Sequence, residues 1–235
     1  MRKKNLFVTS GSLLVLTAMP AFAQGTFQNL NFESANVSGY PRGSSAVPVG
    51  SGLPGWTAYY GTQSGGTNPT AFVWYDSVSL GGAMIAVEDS GLVPGGGFTP
   101  LQGNYSLYMV GSSAGPATVS AIGQTGEVPV GTLSLQFYGQ NIGNLELMFN
   151  GQRLSYQTIG SGLNYTIYGA DISSYAGQVG QLMFVADSPG GGFLDNILFS
   201  ASAIPEPGMF ALAGLGLMLF GFHRSRRCLR RNLTN

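Results

Sequence analysis

The sequence contains very little cysteine, histidine or lysine outside its two ends. Its single cysteine, Cys228, and its single histidine, His223, both lie near the C-terminus, and no lysine follows Lys4. The long middle segment therefore has no disulfide, and it has no thiolate or imidazole ligand for zinc. The same absence excludes Ser-His-Asp and Cys-His nucleophilic sites.

Positive charge is also scarce in this middle segment, residues 24–203. Its two arginines, Arg42 and Arg153, stand against nine carboxylates, which gives a net charge of −7. Such a segment repels polyanions, and no phosphate-binding G-x-x-x-x-G-K-[ST] loop is present. The composition excludes a nucleic-acid partner and leaves binding or structural functions as the main classes.

The N-terminus has the pattern of a secretory signal peptide. Arg2, Lys3 and Lys4 form a basic region, an apolar run follows at 6–18, and Ala21-Phe22-Ala23 supplies small residues at the positions that a signal peptidase needs. We expect a signal peptide over residues 1–23, export by the Sec route and Gln24 as the first mature residue. An uncleaved anchor helix is the alternative.

The C-terminus combines a proline motif, an apolar run and a basic tail. Pro205-Glu206-Pro207 precede apolar residues 208–222, and Arg224, Arg226 and Arg227 follow. Fifteen helical residues reach about 22 Å, less than a bilayer core of about 30 Å. Three interpretations compete: a permanent anchor, a buried helix and a transient membrane hold. The arginines disfavour the buried helix, because burying them is costly.

This order of elements resembles the PEP-CTERM sorting signal of bacterial exosortase substrates. The resemblance implies that residues 204–235 are a sorting signal with a short transmembrane helix, and that an exosortase recognises Pro205, Glu206 and Pro207. It also implies an inner-membrane-anchored precursor that later reaches the cell surface or the extracellular space. Residues 24–203 are then the exported domain.

Short apolar runs separated by glycine-rich turns predict strands in the exported domain. Asn150-Gly151 has the composition of a type I′ hairpin turn. We expect loops at 61–68, 94–97 and 189–192. The predicted strands are 72–79, 105–110, 133–138, 145–149, 152–158, 181–186 and 193–200. The fold class that fits best is all-β, an antiparallel jelly-roll-like β-sandwich.

Several short segments resemble the galactose-binding-like jelly rolls of carbohydrate-binding modules. They include Asn29–Glu33, Leu53–Trp56, Gly103–Leu107 and Phe193–Ile197. In that family a glutamate after the first-strand phenylalanine and an aspartate in the last strand commonly bind a structural calcium ion. The resemblance implies that Glu33 and Asp195 hold calcium here. Otherwise no cofactor is expected.

Aromatic residues are the candidates for a sugar-binding site, because their rings can stack on the apolar faces of sugars. The candidates flank the loop at 61–68 and are Trp56, Tyr59, Tyr60, Trp74 and Tyr75. The alternative is that these rings pack in the core, as strand aromatics usually do.

Together these observations predict a non-enzymatic envelope or matrix protein with a structural or adhesive role. The alternative is a lectin-like module that binds exopolysaccharide. A carboxylate glycosidase is a third hypothesis, which needs two facing carboxyl groups. Glu88 and Asp89 are adjacent and point to opposite faces of a strand, so they do not form such a pair.

Overall fold

The computed structural model describes residues 26–43, 45–62, 66–77, 81–90, 99–114 and 118–204. The predicted signal peptide (1–23), the predicted sorting helix and the predicted loop at 94–97 lie outside these residues. Within them, no helix is long and apolar enough to span a membrane.

The described chain is nearly all β. It contains one short helix, α1 (Val49–Gly52), and a 3₁₀ turn at Ser173–Tyr175. The strands are β1 (Ser45–Pro48), β2 (Thr57–Thr62), β3 (Gly66–Pro69), β4 (Phe72–Tyr75), β5 (Met84–Glu88), β6 (Ser106–Val110), β7 (Val119–Glu127), β8 (Ser134–Phe149), β9 (Gln152–Leu154), β10 (Tyr156–Ser161), β11 (Thr166–Asp171) and β12 (Val179–Ser200).

The strands form one curled sheet. Its main order is β1-β4-β5-β6-β12-β7-β2-β3, and β8 joins β12 to both β9 and the β11-β10 pair. The predicted all-β class is confirmed. The sheet is mixed, because β4 and β5 run parallel, with Trp74 opposite Ala86, whereas the other described strand pairs are antiparallel.

A long two-stranded ribbon, β8 with β12, connects the two halves of the sheet. The first half of β12 pairs with β7, and its second half pairs with β6. Between these halves the chain bends at Gly191 and Gly192, whose φ angles of 127° and 157° suit glycine alone. The predicted loop at 189–192 therefore lies inside a strand, and the two strands expected on either side of it are one.

The bend lets the two ends of the ribbon face each other across the core. Phe137 of β8 and Phe184 of β12 meet edge to face at 5.3 Å, although they do not pair in register. Leu135, Leu147 and Leu182 are fully buried beside them. The sheet thus doubles over into two layers around this core.

Local turn chemistry agrees with the sequence at the β8–β9 hairpin. Asn150 and Gly151 both have positive φ angles, 48° and 75°, and they connect Phe149 to Gln152. The predicted loop at 61–68 is mostly strand, since β2 and β3 extend into it. The predicted strand at 152–158 is divided between β9 and β10, with Ser155 between them.

Candidate functional site

A row of polar side chains crosses three neighbouring strands on the outer face of one layer. Glu88 of β5 lies opposite Ser106 of β6, and the Ser106 hydroxyl donates to Asp195 Oδ2 of β12 at 2.8 Å. The side chains of Ser106 and Asp195 are fully buried, and Glu88 is 1% exposed. Two carboxyl groups are therefore buried on either side of one serine.

Burial changes the acidity of both carboxyl groups. Burial raises the pKa of Glu88 to about 8. The hydrogen bond from the backbone N–H of Ser77 to Glu88 Oε1, at 3.1 Å, opposes this shift but is the smaller effect. Burial also raises the pKa of Asp195 to about 7, although Ser106, Asn196 and Gln102 donate hydrogen bonds to it. Glu88 Oε2 has no hydrogen-bond partner. At neutral pH Glu88 is mostly protonated and able both to donate and to accept a hydrogen bond.

An aromatic row runs beside the carboxyl row. Trp74, Ala86, Tyr108 and Phe193 lie opposite one another on β4, β5, β6 and β12. The rings of Tyr108 and Phe193 are tilted at a centroid distance of 5.1 Å, while Trp74 and Tyr108 are half-buried. We call the two rows together the aromatic–carboxyl face. Flat rings next to a few hydrogen-bonding groups are typical of small-molecule and sugar sites.

A second acidic cluster lies where β4 and β5 end. Asp76 is fully buried with a φ of 44°, and its Oδ1 accepts from the Asp89 N–H at 2.9 Å. Burial raises the pKa of Asp76. Arg42 bonds Asp89 Oδ2 at 2.7 Å and lies 3.4 Å from Asp76 Oδ2, and the Tyr75 hydroxyl also donates to Asp89 at 2.7 Å. Arg42 thus forms ion pairs with two neighbouring carboxylates, Asp76 and Asp89.

The two residues proposed as calcium ligands converge on one loop. Glu33 Oε1 accepts from the backbone N–H groups of Asn104 and Tyr105 at 2.8 and 3.0 Å, and Oε2 accepts from the Asn104 side chain at 2.9 Å. Asp195 Oδ2 accepts from the Gln102 N–H at 3.0 Å. Glu33 and Asp195 thus both accept hydrogen bonds from the same loop.

The groups around these carboxylates are donors, whereas calcium requires oxygen ligands. In the described part of the chain, no group of three or more His, Cys, Asp or Glu side chains could hold a metal ion. In this arrangement the oxygens of both carboxylates accept hydrogen bonds from N–H and O–H donors. Calcium binding at Glu33 and Asp195 stays a prediction, and no chemistry is derived from it.

The five aromatic candidates do not form one cluster. Trp56 and Tyr75 are each 5% exposed in the core, where Trp56 Nε1 donates to the Asn29 carbonyl at 3.0 Å. Tyr60 accepts from the Ile85 N–H at 3.0 Å and hydrogen-bonds with Trp74, so these two lie together. Tyr59 lies against Gly123 in the other layer. Trp74 is the candidate that belongs to the aromatic–carboxyl face.

Glu88, Ser106, Tyr108 and Phe193 were not predicted as site residues. Glu88 was considered only as a possible catalytic pair with Asp89 and was set aside. The signal that could have identified it is its position at the end of the apolar run Met84–Val87, which forms β5. A carboxyl group that ends such a run has a high chance of burial.

The fold and this face define an all-β domain with buried acidic groups on the outer side of a curled sheet. Residues 203–227 match the PEP-CTERM protein-sorting motif, which includes Pro205, Glu206, Pro207 and Arg224 to Arg227. The chain is thus an exported protein that an exosortase processes, and it crosses the membrane to the surface or the extracellular space. The predicted sorting signal is confirmed. No curated protein matches the sequence.

The chain is similar to several solved structures. An apo-form cyclase from Fischerella sp. is 16% identical with a TM-score of 0.44, over 74% of this chain and 93% of that chain. A Stig cyclase, Fisc, from Fischerella sp. TAU is 14% identical with a TM-score of 0.45, over 74% of this chain and 94% of that chain.

These neighbours correct one expectation. The sequence predicted a protein without enzymatic activity, and the solved chains that resemble it are enzymes, so that prediction is contradicted. At this level of identity and TM-score, the likeness assigns no reaction to this chain. The resemblance to carbohydrate-binding jelly rolls is not confirmed by these comparisons and stays a prediction.

Proposed function

We propose that the exported domain binds a neutral polysaccharide at the cell surface or in the extracellular matrix, through the aromatic–carboxyl face. The proposal includes export by the Sec route and an adhesive role. The observation that carries it is the pair of half-buried rings, Trp74 and Tyr108, which lie in one row across β4, β5 and β6 beside the buried Glu88 carboxyl. Rings of this kind stack on the apolar faces of sugars.

The charge of the domain favours a neutral ligand. Residues 24–203 carry a net charge of −7. This net charge repels an anionic polysaccharide. Arg42, a cation near this part of the sheet, already bonds Asp89.

Polysaccharide pull-down and glycan-array binding with the purified exported protein test this proposal. We expect Trp74→Ala to weaken binding about tenfold, which corresponds to about 1.4 kcal/mol. Tyr59→Ala is the matched control, because Tyr59 is an aromatic residue in the other layer. Equal losses in both variants, or no binding to any neutral glycan, would contradict the proposal.

A second candidate function is glycoside hydrolysis, and one spacing favours it. Glu88 and Asp195 lie on β5 and β12, with β6 between them, so their backbones are about 10 Å apart. Inverting glycosidases hold two carboxyl groups about 6.5–9.5 Å apart, one of them protonated. Loss of polysaccharide cleavage in Glu88→Gln, with binding retained, would support hydrolysis. Absence of any cleavage by the unmodified protein would eliminate it.

A further inference from the structure

One end of the domain presents exposed apolar side chains. Among the described residues, five large hydrophobic side chains are exposed, and three of them lie at this end: Val130 at 85%, Leu133 at 40% and Val179 at 66%. The loops that carry them are joined by two hydrogen bonds, from the Val128 N–H to the Gln178 carbonyl and from the Gly177 N–H to the Val128 carbonyl. We call Val130, Leu133 and Val179 the apolar end.

The chain leaves the domain at this same end. The Leu133 N–H donates to the Ser200 carbonyl at 2.8 Å, and the Ser134 hydroxyl donates to the Ser202 carbonyl at 2.7 Å. Ile204 then lies against Gly169, in a cleft of about 400 Å³ that Leu133 also lines. The backbone is therefore attached to the domain up to the residue before the proline motif.

The next four residues set how far the domain can move from the membrane. The apolar run begins at Gly208, so the chain from Ile204 spans at most about 14 Å when fully extended. A lipid-embedded apolar run thus keeps the apolar end close to the lipid headgroups. Apolar side chains at a bilayer interface gain free energy in proportion to the area that they bury.

We propose that the apolar end rests on the lipid surface of the membrane that holds the precursor. Val130, Leu133 and Val179 insert between headgroups, and they orient the domain while Pro205 to Pro207 await the exosortase. The contact depends on the sorting motif and is independent of glycan binding. It is apolar in character, so zwitterionic lipids and high salt leave it intact.

The single cysteine allows a direct test with the full-length chain in zwitterionic phospholipid vesicles. In a Cys228→Ser background, Val130→Cys, Val179→Cys and Leu163→Cys each receive an environment-sensitive fluorophore. Leu163 is the matched control. It is fully exposed, and it lies in the turn between β10 and β11, at the ends of these strands that are farther from the apolar end. We expect a blue shift, and quenching by nitroxide-labelled lipids, at positions 130 and 179 and not at position 163.

Three results would overturn the proposal. Equal quenching at all three positions would show that lipid contact is not confined to this end. A blue shift at 130 and 179 without quenching by labelled lipids would show that another copy of the chain covers the surface. Shielding that occurs only when exosortase is added would show a protein contact instead of a lipid contact.

Discussion

Glu33 and Asp195 hold opposite sides of the loop between Leu101 and Tyr105. Glu33 accepts the Asn104 and Tyr105 N–H groups, and Asp195 accepts the Gln102 N–H, at distances of 2.8 to 3.0 Å. The two residues are separated by most of the domain sequence, so this loop is fixed only after the first and last segments have come together.

The first prediction concerns the contact between this loop and Glu33. Gly103 has a φ of 64°, and a Cβ atom there would overlap Glu33 Oε1. Gly103→Ala should lower the free energy of unfolding more than Gly131→Ala does, because Gly131 has a φ of 82° and open space around it. Backbone strain costs each variant about 1–2 kcal/mol, and loss of the Glu33 hydrogen bonds adds about 1–3 kcal/mol at Gly103. Urea unfolding measures the stability of both variants. Equal losses would show that the Glu33 hydrogen bonds do not stabilise this loop.

The second prediction concerns the bend of the β8–β12 ribbon. A Cβ atom at Gly191 would overlap the Met109 carbonyl oxygen, and the φ of 127° is unfavourable for any other residue. We expect Gly191→Ala to cost about 3 kcal/mol or more. Gly143→Ala, on the partner strand with nothing within 4 Å, should change stability little. Comparable denaturation midpoints for the two variants would show that the bend does not depend on Gly191.

The third prediction is a dependence of stability on pH. The pKa of Glu88 is raised from 4.5 to about 8, and that of Asp195 from 3.8 to about 7. The folded state therefore retains protons that the unfolded state releases, so these groups stabilise the fold fully below about pH 4. Their contribution falls as pH rises, by at most about 1.4 kcal/mol per pH unit for each group, and it is lost above about pH 8.

Glu88→Gln tests that dependence, because the amide imitates the protonated acid and keeps an acceptor for the Ser77 N–H. The free energy of unfolding, measured from pH 5 to pH 8, should fall less steeply with pH for this variant than for the unmodified protein. Glu127→Gln, a half-buried carboxylate elsewhere, serves as the control. An unchanged slope in Glu88→Gln would show that Glu88 is ionised throughout this range.

The fourth prediction compares the two arginines of the exported domain. Arg42 pairs with the buried Asp76 and with Asp89, whereas Arg153 pairs with Glu146 at 2.8 Å, where both side chains are substantially exposed. Arg153→Met should cost at most about 1 kcal/mol. Arg42→Met should cost more than Arg153→Met, because it leaves the buried Asp76 carboxylate without its cation. Thermal melts at pH 7 distinguish the two variants. Lowering the pH should reduce the loss of stability in Arg42→Met, because Asp76 becomes protonated.

Local patterns in the sequence predicted several elements well. Alternating residues from Leu133 to Tyr138 and the Asn150-Gly151 pair correspond to strand and turn, because side-chain alternation and positive φ are properties of a few adjacent residues. The sorting motif is equally local. Glu33 and Asp195 were expected to act together through a resemblance, and the structure brings them to one loop.

Other features depend on distant pairing and were missed. Asp187 to Gly192 has the composition of a loop, and its incorporation in β12 requires the partners Val110 and Gly143 from other strands. The burial of Glu88 requires β6 beside β5. Both outcomes arise from tertiary contacts that adjacent residues do not encode.

The last strand of the domain is one of the two described strands, with β8, that pair with three others. β12 pairs with β6, β7 and β8, so the earlier strands lack their central neighbour until Val179–Ser200 is present. Because a chain is synthesised from its N-terminus, the sheet cannot close until the residues just before the sorting motif are present. Completion of the fold therefore depends on the last segment of the domain.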